Sequence, residues 1–236
     1  MLPYLKNNKI LVVVAHPDDE VLGIGGTINM LVNQYNVQAR AIILGEGITS
    51  RSAQRNPEAW EKELATHRQN IQDAGKVIGY ERIETHSFPD NRFDSTDLLE
   101  LVKVIENVKN DFQPEAIFTH HGGDTNIDHQ KTFSAVITAS RPQAGETVNH
   151  IWTFETPSST EWQAFNYPLY FKPNFFVSLN EENIKAKVNA MESYEYEKRK
   201  FPHPRSPEAL RILAQKRGIE VGTSFAEAFM LIRSIS

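Results

Sequence analysis

Apolar residues in the first half of the chain follow two alternating patterns. Continuous apolar runs rich in β-branched residues, such as residues 10–14, are typical of strands buried on both faces of a parallel sheet. Between them, apolar residues recur three to four positions apart, which is the spacing of one helix face. The alternation predicts βαβ units and a parallel sheet flanked by helices. The expected strands are 10–14, 39–44, 83–88 and 116–119, and the expected helices are 23–34, 58–78, 97–112 and 131–140.

The second half of the chain has a less regular pattern. Its expected elements are strands at 151–154, 175–177 and 228–232 and helices at 181–200 and 208–217. An aromatic-rich loop lies between Trp162 and Phe176. Prolines in the segment 201–207 exclude regular structure there, and this segment is interpreted as a lid or a subunit contact. The whole chain, 1–236, is expected to form one domain, with its core over 8–140 and a less regular part over 141–236.

Composition narrows the classes of function. The net charge is −5 and the basic cluster at 198–200 is short, whereas nucleic-acid binders need clustered Lys and Arg. The chain has no cysteine, which excludes disulfides, Cys-ligated zinc and a thiol nucleophile. No stretch approaches the roughly 20 apolar residues of a membrane span. We therefore expect a cytoplasmic protein with no transmembrane segment and no nucleic-acid partner.

An imidazole and three carboxylates follow the first expected strand directly. They belong to the segment His16-Pro17-Asp18-Asp19-Glu20, which stands where open α/β sheets bind their ligands. His and Asp are good zinc ligands, and a carboxylate beside them can act as a general base. In the competing interpretation, Asp18 or Asp19 caps the next helix. Three adjacent acids exceed what capping requires, which favours a functional site.

A second polar cluster runs from His120 to His129, between the fourth expected strand and a helix. Because parallel strands end at the same edge of a sheet, the two clusters can converge. A catalytic zinc needs three protein ligands and an open position for water. His16, Asp19 and His129 would supply that set. The alternative is a polar loop in which Asp128 caps the helix.

The two clusters together resemble one protein family. A His-Pro-Asp-Asp-Glu segment after a strand, a Gly-Gly-Thr helix start and a later Asp-x-Asn-x-Asp-His are similar to the LmbE-like/PIG-L-like deacetylases. These include the N-acetylglucosaminyl-phosphatidylinositol deacetylases and the bacterial thiol-pathway deacetylases. The resemblance covers roughly residues 8–140. It implies a Rossmann-like α/β fold, with a mostly parallel sheet flanked by helices and an irregular C-terminal extension.

The resemblance also implies which residues hold the metal and which residue is the general base. Zinc (Zn²⁺) would be held by His16, Asp19 and His129, which are the ligands proposed above. Asp18 would be the general base.

One position departs from part of the family. Asn126 stands where some members have a histidine, so its amide is expected to donate a hydrogen bond to an oxyanion but not a proton. The general acid then remains open: it is Asp18 after the first step, or His121 or His203 from another loop. Asp128 is expected to hold a ligand or the loop in place.

Three further residues lie in segments that resemble the family's substrate-binding positions. Arg51 follows the second expected strand, Arg68 lies in a helix, and Asp90 lies in a Pro-Asp-Asn turn. They are expected to bind sugar hydroxyls or a phosphate. The alternatives are a solvated helix residue for Arg68 and a turn former for Asp90.

The sequence thus predicts a zinc-dependent hydrolase that removes an N-acetyl group from a small-molecule amino-sugar substrate. A nucleotide sugar, a glycoconjugate precursor and a glycosyl thiol all remain open as substrates. One alternative is a zinc amidohydrolase acting on a non-sugar N-acyl group. Another is a nucleotide-binding module that uses the Gly23-x-Gly25-Gly26 turn, although acids stand where a phosphate would lie. Relatives are often oligomeric, so a homo-oligomer is left open.

Overall fold

A seven-stranded sheet organises the protein, for which a computed structural model describes residue 5 and residues 8–235. Within those residues the strands are β1 (Lys9–Val14), β2 (Gln38–Gly45), β3 (Arg82–Phe88), β4 (Ala116–His120), β5 (His150–Phe154), β6 (Phe175–Leu179) and β7 (Phe225–Ser234). The α-helices are α1 (Asp19–Leu22), α2 (Gly25–Tyr35), α3 (Glu61–Ile78), α4 (Leu98–Phe112), α5 (Ile127–Ala139), α6 (Glu181–Glu192) and α7 (Pro207–Ile219). Short 3-10 helices span Thr49–Arg51, Pro57–Trp60, Phe93–Ser95 and Thr160–Trp162. No helix in this part of the chain is long and apolar enough to cross a membrane.

The strands lie in the order β3-β2-β1-β4-β5-β7-β6. The first five are parallel, and β7 pairs antiparallel with both β5 and β6. This sheet confirms the expected α/β fold with a mostly parallel sheet. From β1 the chain builds β2 and β3 on one side, and it then continues through β4 and β5 on the other. The reversal opens a crevice at the carboxyl ends of β1 and β4, where folds of this kind bind ligands.

Each face of the sheet is covered by its own apolar core. Ile10, Val12 and Val14 of β1 belong to the core that includes α2. Leu11 and Val13 belong to the core on the opposite face, which includes α4 and α5. Successive side chains of a strand point to opposite faces, so a strand covered on both sides needs a continuous apolar run. The continuous apolar run of β1 is therefore explained by the burial of this strand on both faces, as expected from the sequence.

Two of the expected helix boundaries are wrong by four residues or more. The helix expected at 181–200 ends at Glu192, and Tyr194 beyond it is fully buried in the core. The helix expected from residue 131 begins at Ile127. It starts there because Oδ1 of Asn126 accepts the N–H of Asp128 at 2.8 Å, as an N-cap does.

Candidate metal and catalytic site

The two polar clusters meet at the carboxyl ends of β1 and β4, which are neighbours in the sheet. After β1, the chain turns tightly into α1 and Asp18 adopts a left-handed backbone with φ of 97°. After β4, a short loop leads into α5 and places His129 in its first turn. The N–H of Ala15 donates to Nε2 of His120 at 2.9 Å, which ties the two segments together.

Three side chains at this edge bring possible metal-binding atoms together. Nδ1 of His16 and Nε2 of His129 each lie 3.4 Å from Oδ2 of Asp19. The residues offer ligand atoms that all lie within 4.8 Å of one another. Zinc bonds of about 2.0–2.2 Å in a tetrahedron place neighbouring ligand atoms about 3.3–3.6 Å apart. The donor set therefore fits zinc in both chemistry and spacing, and it consists of the three residues named from the sequence.

A carboxylate lies behind each of the two imidazoles. Nε2 of His16 is 2.9 Å from Oδ2 of Asp128, and Nδ1 of His129 is 3.2 Å from Oδ1 of Asp124. Histidine ligands of metals commonly have their second nitrogen against a carboxylate, which fixes the orientation and tautomer of the ring. These contacts leave Nδ1 of His16 and Nε2 of His129 facing Asp19.

Asp128 also holds the loop between β3 and α4. Its Oδ2 accepts the N–H of Asn91 at 2.6 Å, and its Oδ1 accepts the N–H of Phe93 at 2.9 Å. The Asp128 side chain is completely buried. One carboxylate therefore contacts both a candidate ligand, His16, and the loop beside it.

Acidic groups dominate the charge of the site. Burial alone would lower the pKa of His129, but the carboxylates of Asp19 and Asp124 raise it to about 9. Burial acts to raise the pKa of Asp19, yet the rings of His129 and His120 hold it well below its usual value. Burial and the neighbouring His129 lower the pKa of His120 to about 4. The carboxylates around the two imidazoles thus favour positive charge at this position, which a divalent cation would supply.

Asp18 lies beside the candidate ligands without belonging to them. Its side chain is only 3% exposed, and its Oδ2 accepts a hydrogen bond from Nη1 of Arg205 at 3.0 Å. Burial raises the pKa of Asp18 well above its usual value, and the charge of Arg205 opposes that rise. Below it, Glu20 accepts the N–H of Asp18 at 3.1 Å and the hydroxyl of Tyr194. Burial raises the pKa of Glu20 to about 7.

A cavity of about 280 Å³ opens over these groups. Arg51, Asp90 and Asn126, all named from the sequence, lie on its wall. Asp90 accepts hydrogen bonds from the N–H and the hydroxyl of Ser50 at 3.1 and 2.7 Å. Its Oδ1 lies 3.3 Å from Nε2 of His16, so Asp90 borders the candidate metal site directly.

Arg51 and Asn126 are partly engaged by the protein itself. Nη2 of Arg51 donates to the carbonyl of Tyr196 at 3.1 Å and to Oε1 of Glu197 at 2.5 Å. Nδ2 of Asn126 donates to Oδ1 of Asn91 at 2.9 Å. Each side chain has further N–H groups that these bonds do not use.

Arg68 lies away from the other candidate residues. It is exposed and lines a second cavity, of about 500 Å³. Pro17 and His67 line both cavities and separate them. The structure therefore does not bring Arg68 to the site formed by the two clusters.

The family of GlcNAc-PI de-N-acetylases, PIG-L, matches residues 11–140, which is more than half of the chain. The chain belongs to the PIG-L family. Both polar clusters fall within the matched residues, and the match confirms the resemblance seen in the sequence.

Individual relatives of this PIG-L chain are distant in sequence. It is 25% identical over 193 residues to the uncharacterized deacetylase YaiS of Escherichia coli K12, a match that covers 80% of this chain and 91% of that protein. Its fold is similar to that of an N,N'-diacetylchitobiose deacetylase from Pyrococcus horikoshii, with a TM-score of 0.72 and 19% identity over 98% of this chain and 86% of the other. It is equally similar to the 4-carboxy-2-hydroxymuconate hydratase GalB of Pseudomonas putida, with a TM-score of 0.72 and 19% identity over 97% and 98% of the two chains. The fold alone therefore does not select the reaction.

Some residues of this PIG-L site come from the C-terminal half of the chain and could not be predicted from the sequence. Arg205 contacts Asp18 and lines the cavity, although its proline-rich loop suggested only a lid or a subunit contact. Glu197 contacts Arg205 at 2.7 Å and Arg51 at 2.5 Å. No motif marks either residue, because their positions depend on how the chain folds back over the sheet.

The two histidines considered as general acids lie in different places. His203 lines the cavity, and its ring packs edge-on against Trp162 with centroids 6.1 Å apart. His121 does not line it, and its Nε2 is 2.5 Å from the carbonyl oxygen of Leu169. Of the two, only His203 is within reach of a molecule in the cavity.

Proposed function

We propose that the chain is a zinc-dependent hydrolase that removes an N-acetyl group from an amino-sugar-containing substrate. The observation that supports this most is the convergence of His16, Asp19 and His129 beside a buried carboxylate, Asp18. Three protein ligands with a neighbouring base are typical of hydrolytic zinc sites.

N-deacetylation of a sugar is favoured by the family itself. The PIG-L family is that of the GlcNAc-PI de-N-acetylases, and the relative YaiS is named as a deacetylase. The cavity, about 280 Å³, is slightly smaller than the ~300–1,000 Å³ range of ligand pockets. This size suits one sugar residue with the rest of the substrate outside. Arg51 and Asp90 on its wall are suited to binding hydroxyl or phosphate oxygens, whereas Arg68 lies outside and has no part in the proposal.

The residues present would hold zinc through two imidazole nitrogens and one carboxylate oxygen. When bound, the ion lowers the pKa of a coordinated water toward about 7 and polarises a carbonyl group. Asp18 takes a proton from the attacking water as the water oxygen adds to the acetyl carbon.

The tetrahedral intermediate carries negative charge on the former carbonyl oxygen, and an N–H of Asn126 donates a hydrogen bond to it. The carbon–nitrogen bond then breaks. Asp18, now protonated, gives its proton to the leaving amine, so that acetate and a free amino sugar are released. In this scheme one carboxylate serves as base and acid, and Asn126 needs no proton to donate.

Acetate release from a substrate panel tests the proposal. Chelator-treated protein and zinc-reloaded protein are assayed on N-acetylglucosamine, its nucleotide-linked form, its glycolipid form and an N-acetyl amino acid. We expect zinc-dependent release from at least one sugar and none from the amino acid. The His129→Ala variant, treated in the same way, should not respond to zinc.

The rival functions give different results in that experiment. Release from the N-acetyl amino acid alone would indicate a general amidohydrolase. Activity that survives removal of all metal would contradict the zinc site. Tight nucleotide binding by a protein that takes up no zinc would indicate a nucleotide-binding module.

A further inference from the structure

A guanidinium group from the far end of the chain contacts the carboxylate proposed as base. Nη1 of Arg205 donates to Oδ2 of Asp18 at 3.0 Å. The Asp18 side chain is 3% exposed and that of Arg205 26% exposed, so solvent screens the pair only weakly. A charge-assisted hydrogen bond of this kind fixes the direction of the carboxylate as well as its charge.

Arg205 is itself fixed by further contacts. Its Nη1 donates to Oε2 of Glu197 and its Nε donates to Oγ of Ser158, both at 2.7 Å. Ser158 has a left-handed backbone with φ of 72°, which is unfavourable for a non-glycine residue and recurs at functional sites. The loop carrying Arg205 is closed by the N–H of Ser206, which donates to the carbonyl of His203 at 2.9 Å. Ser206 then caps α7, so the loop is anchored at a helix start.

Asp18 needs such a partner because other acids surround it. Asp19 is its neighbour in sequence, Glu20 accepts its N–H, and Glu197 contacts the same Nη1 atom of Arg205 as Asp18 does. Like charges repel strongly where water is excluded, and the side chain of Asp18 has two rotatable bonds. The guanidinium that Asp18 shares with Glu197 therefore offsets this repulsion and holds the Asp18 carboxylate by a hydrogen bond.

We propose that Arg205 is a positioning residue that aims the carboxylate of Asp18 at the attacking water. This inference rests on the proposed function, in which Asp18 is the base. It places part of the base's environment outside residues 11–140, which the family match covers. The C-terminal part of the chain is then a component of the active site and not only a cover for it.

Three variants test the proposal kinetically: Arg205→Ala, Arg205→Lys and the control Arg211→Ala. Arg211 forms a two-bond ion pair with Glu181 on the surface of α7, so the control removes an arginine–carboxylate pair away from the site. For Arg205→Ala we expect kcat to fall about 100-fold, which is the effect of misplacing a reacting group by about 1 Å. KM and zinc content should stay near the wild-type values. Arg205→Lys should recover part of kcat, and Arg211→Ala should match the wild type.

Two further readouts separate positioning from a purely structural role. Crystal structures should show the Asp18 carboxylate displaced by about 1 Å or more in Arg205→Ala and returned in Arg205→Lys. Guanidinium ions at low concentration should restore turnover to Arg205→Ala but not to Asp18→Asn. An unmoved Asp18 carboxylate with wild-type kcat, or a rise in KM alone, would overturn the proposal. If wild-type protein releases no acetate while the carboxylate still moves in Arg205→Ala, the proposed function fails and the contact retains its positioning role.

Discussion

Asp18 combines an unfavourable backbone conformation with a buried carboxylate. A non-glycine residue in the left-handed region costs about 1–3 kcal/mol, and the φ of Asp18 is 97°. The side chain makes no capping bond to α1, although Asp18 is the N-cap residue of that helix. Its carboxylate contacts Arg205 instead. The turn therefore presents the carboxylate to the cavity, and capping does not explain why an acid is there.

Replacing Asp18 by Asn should separate metal binding from catalysis. Asn keeps the size of the side chain but cannot accept the proton of the attacking water. We expect full zinc content and a turnover about 10²–10⁴ times lower, which is the usual contribution of a general base. Zinc analysis and kcat on the same protein sample check this. Undiminished turnover would remove Asp18 from the base role.

Replacing Asp128 by Ala should weaken zinc binding without removing a ligand. The change takes away the carboxylate behind His16 and two acceptors of the loop at Asn91 and Phe93. We expect zinc affinity to fall about 10–100-fold, as it does when the partner of a ligating histidine is lost. Competition with a chromogenic chelator measures the effect. Asp94→Ala, an exposed acid in the same segment, is the control; equal affinities in the two variants would contradict the role of Asp128.

At the residue scale, the sequence predicts functional residues that are grouped in short motifs. His16 and Asp19 follow one strand and His129 opens the helix after another, so strand ends and spacing suffice to bring them together. Arg205 reaches Asp18 from 187 residues away, and a lone arginine between prolines gives no local signal of that contact. The candidate ligands were therefore predictable, and the partner of the candidate base was not.

At the scale of single elements, tertiary contacts decide where helix α6 stops. Its pattern predicts a helix to residue 200, yet the chain turns after Glu192. Beyond that point the buried hydroxyl of Tyr194 donates to Glu20, and Glu197 contacts Arg205. Periodicity describes one helix in isolation and has no information on such partners.

Gly218, near the end of α7, should not tolerate a side chain. A Cβ atom there would lie 2.6 Å from the carbonyl oxygen of Thr223 and 2.8 Å from the backbone nitrogen of Phe225. Since both obstacles are backbone atoms, we expect Gly218→Ala to lose about 1–3 kcal/mol of stability. Thermal denaturation should show a Tm lower by roughly 2–4 °C per kcal/mol. Gly25→Ala is the control, because its Cβ would meet only side-chain atoms at 3.2 Å or more; a similar loss in both variants would contradict this explanation.

At the scale of the whole molecule, one carboxylate joins the two ends of the fold. Glu227 of β7 accepts the N–H groups of Gly26 and Thr27, at the start of α2, at 3.1 and 2.7 Å. It also accepts a hydrogen bond from Nζ of Lys187 on α6 at 2.6 Å. Negative charge at a helix N-terminus is favourable, and Lys187 balances the buried charge. Three elements far apart in sequence thus depend on one buried ion pair.

Breaking that pair should destabilise the entire fold. Lys187→Met leaves Glu227 as a buried charge without its cation, which costs about 3–5 kcal/mol. Denaturant unfolding measures the loss. Lys185→Met, an exposed lysine on the same helix, is the control and should change stability little. A loss below about 1 kcal/mol for Lys187→Met would show that the pair contributes little.

The fold class could be predicted because alternating strands and helices leave few arrangements open. The arrangement of the last strands could not. Residues near Phe175 and Ala228 were recognisable as strands, but their pattern holds no information on direction or order. The antiparallel insertion of β7 depends on cross-strand pairs such as Phe154 with Phe229 and Val177 with Glu227, which join distant parts of the chain.

The position of β7 in the sheet has a consequence for the chain during its synthesis. β7 is the latest strand of the described chain to be made, yet it lies between β5 and β6. At about 5–20 residues per second, roughly 4 to 14 s separate the translation of Phe154 from that of Phe225. During this interval β5 has an open edge whose backbone groups can pair with other chains. We therefore expect a ribosome that stalls before residue 225 to leave a nascent chain that is more prone to aggregation than the finished protein.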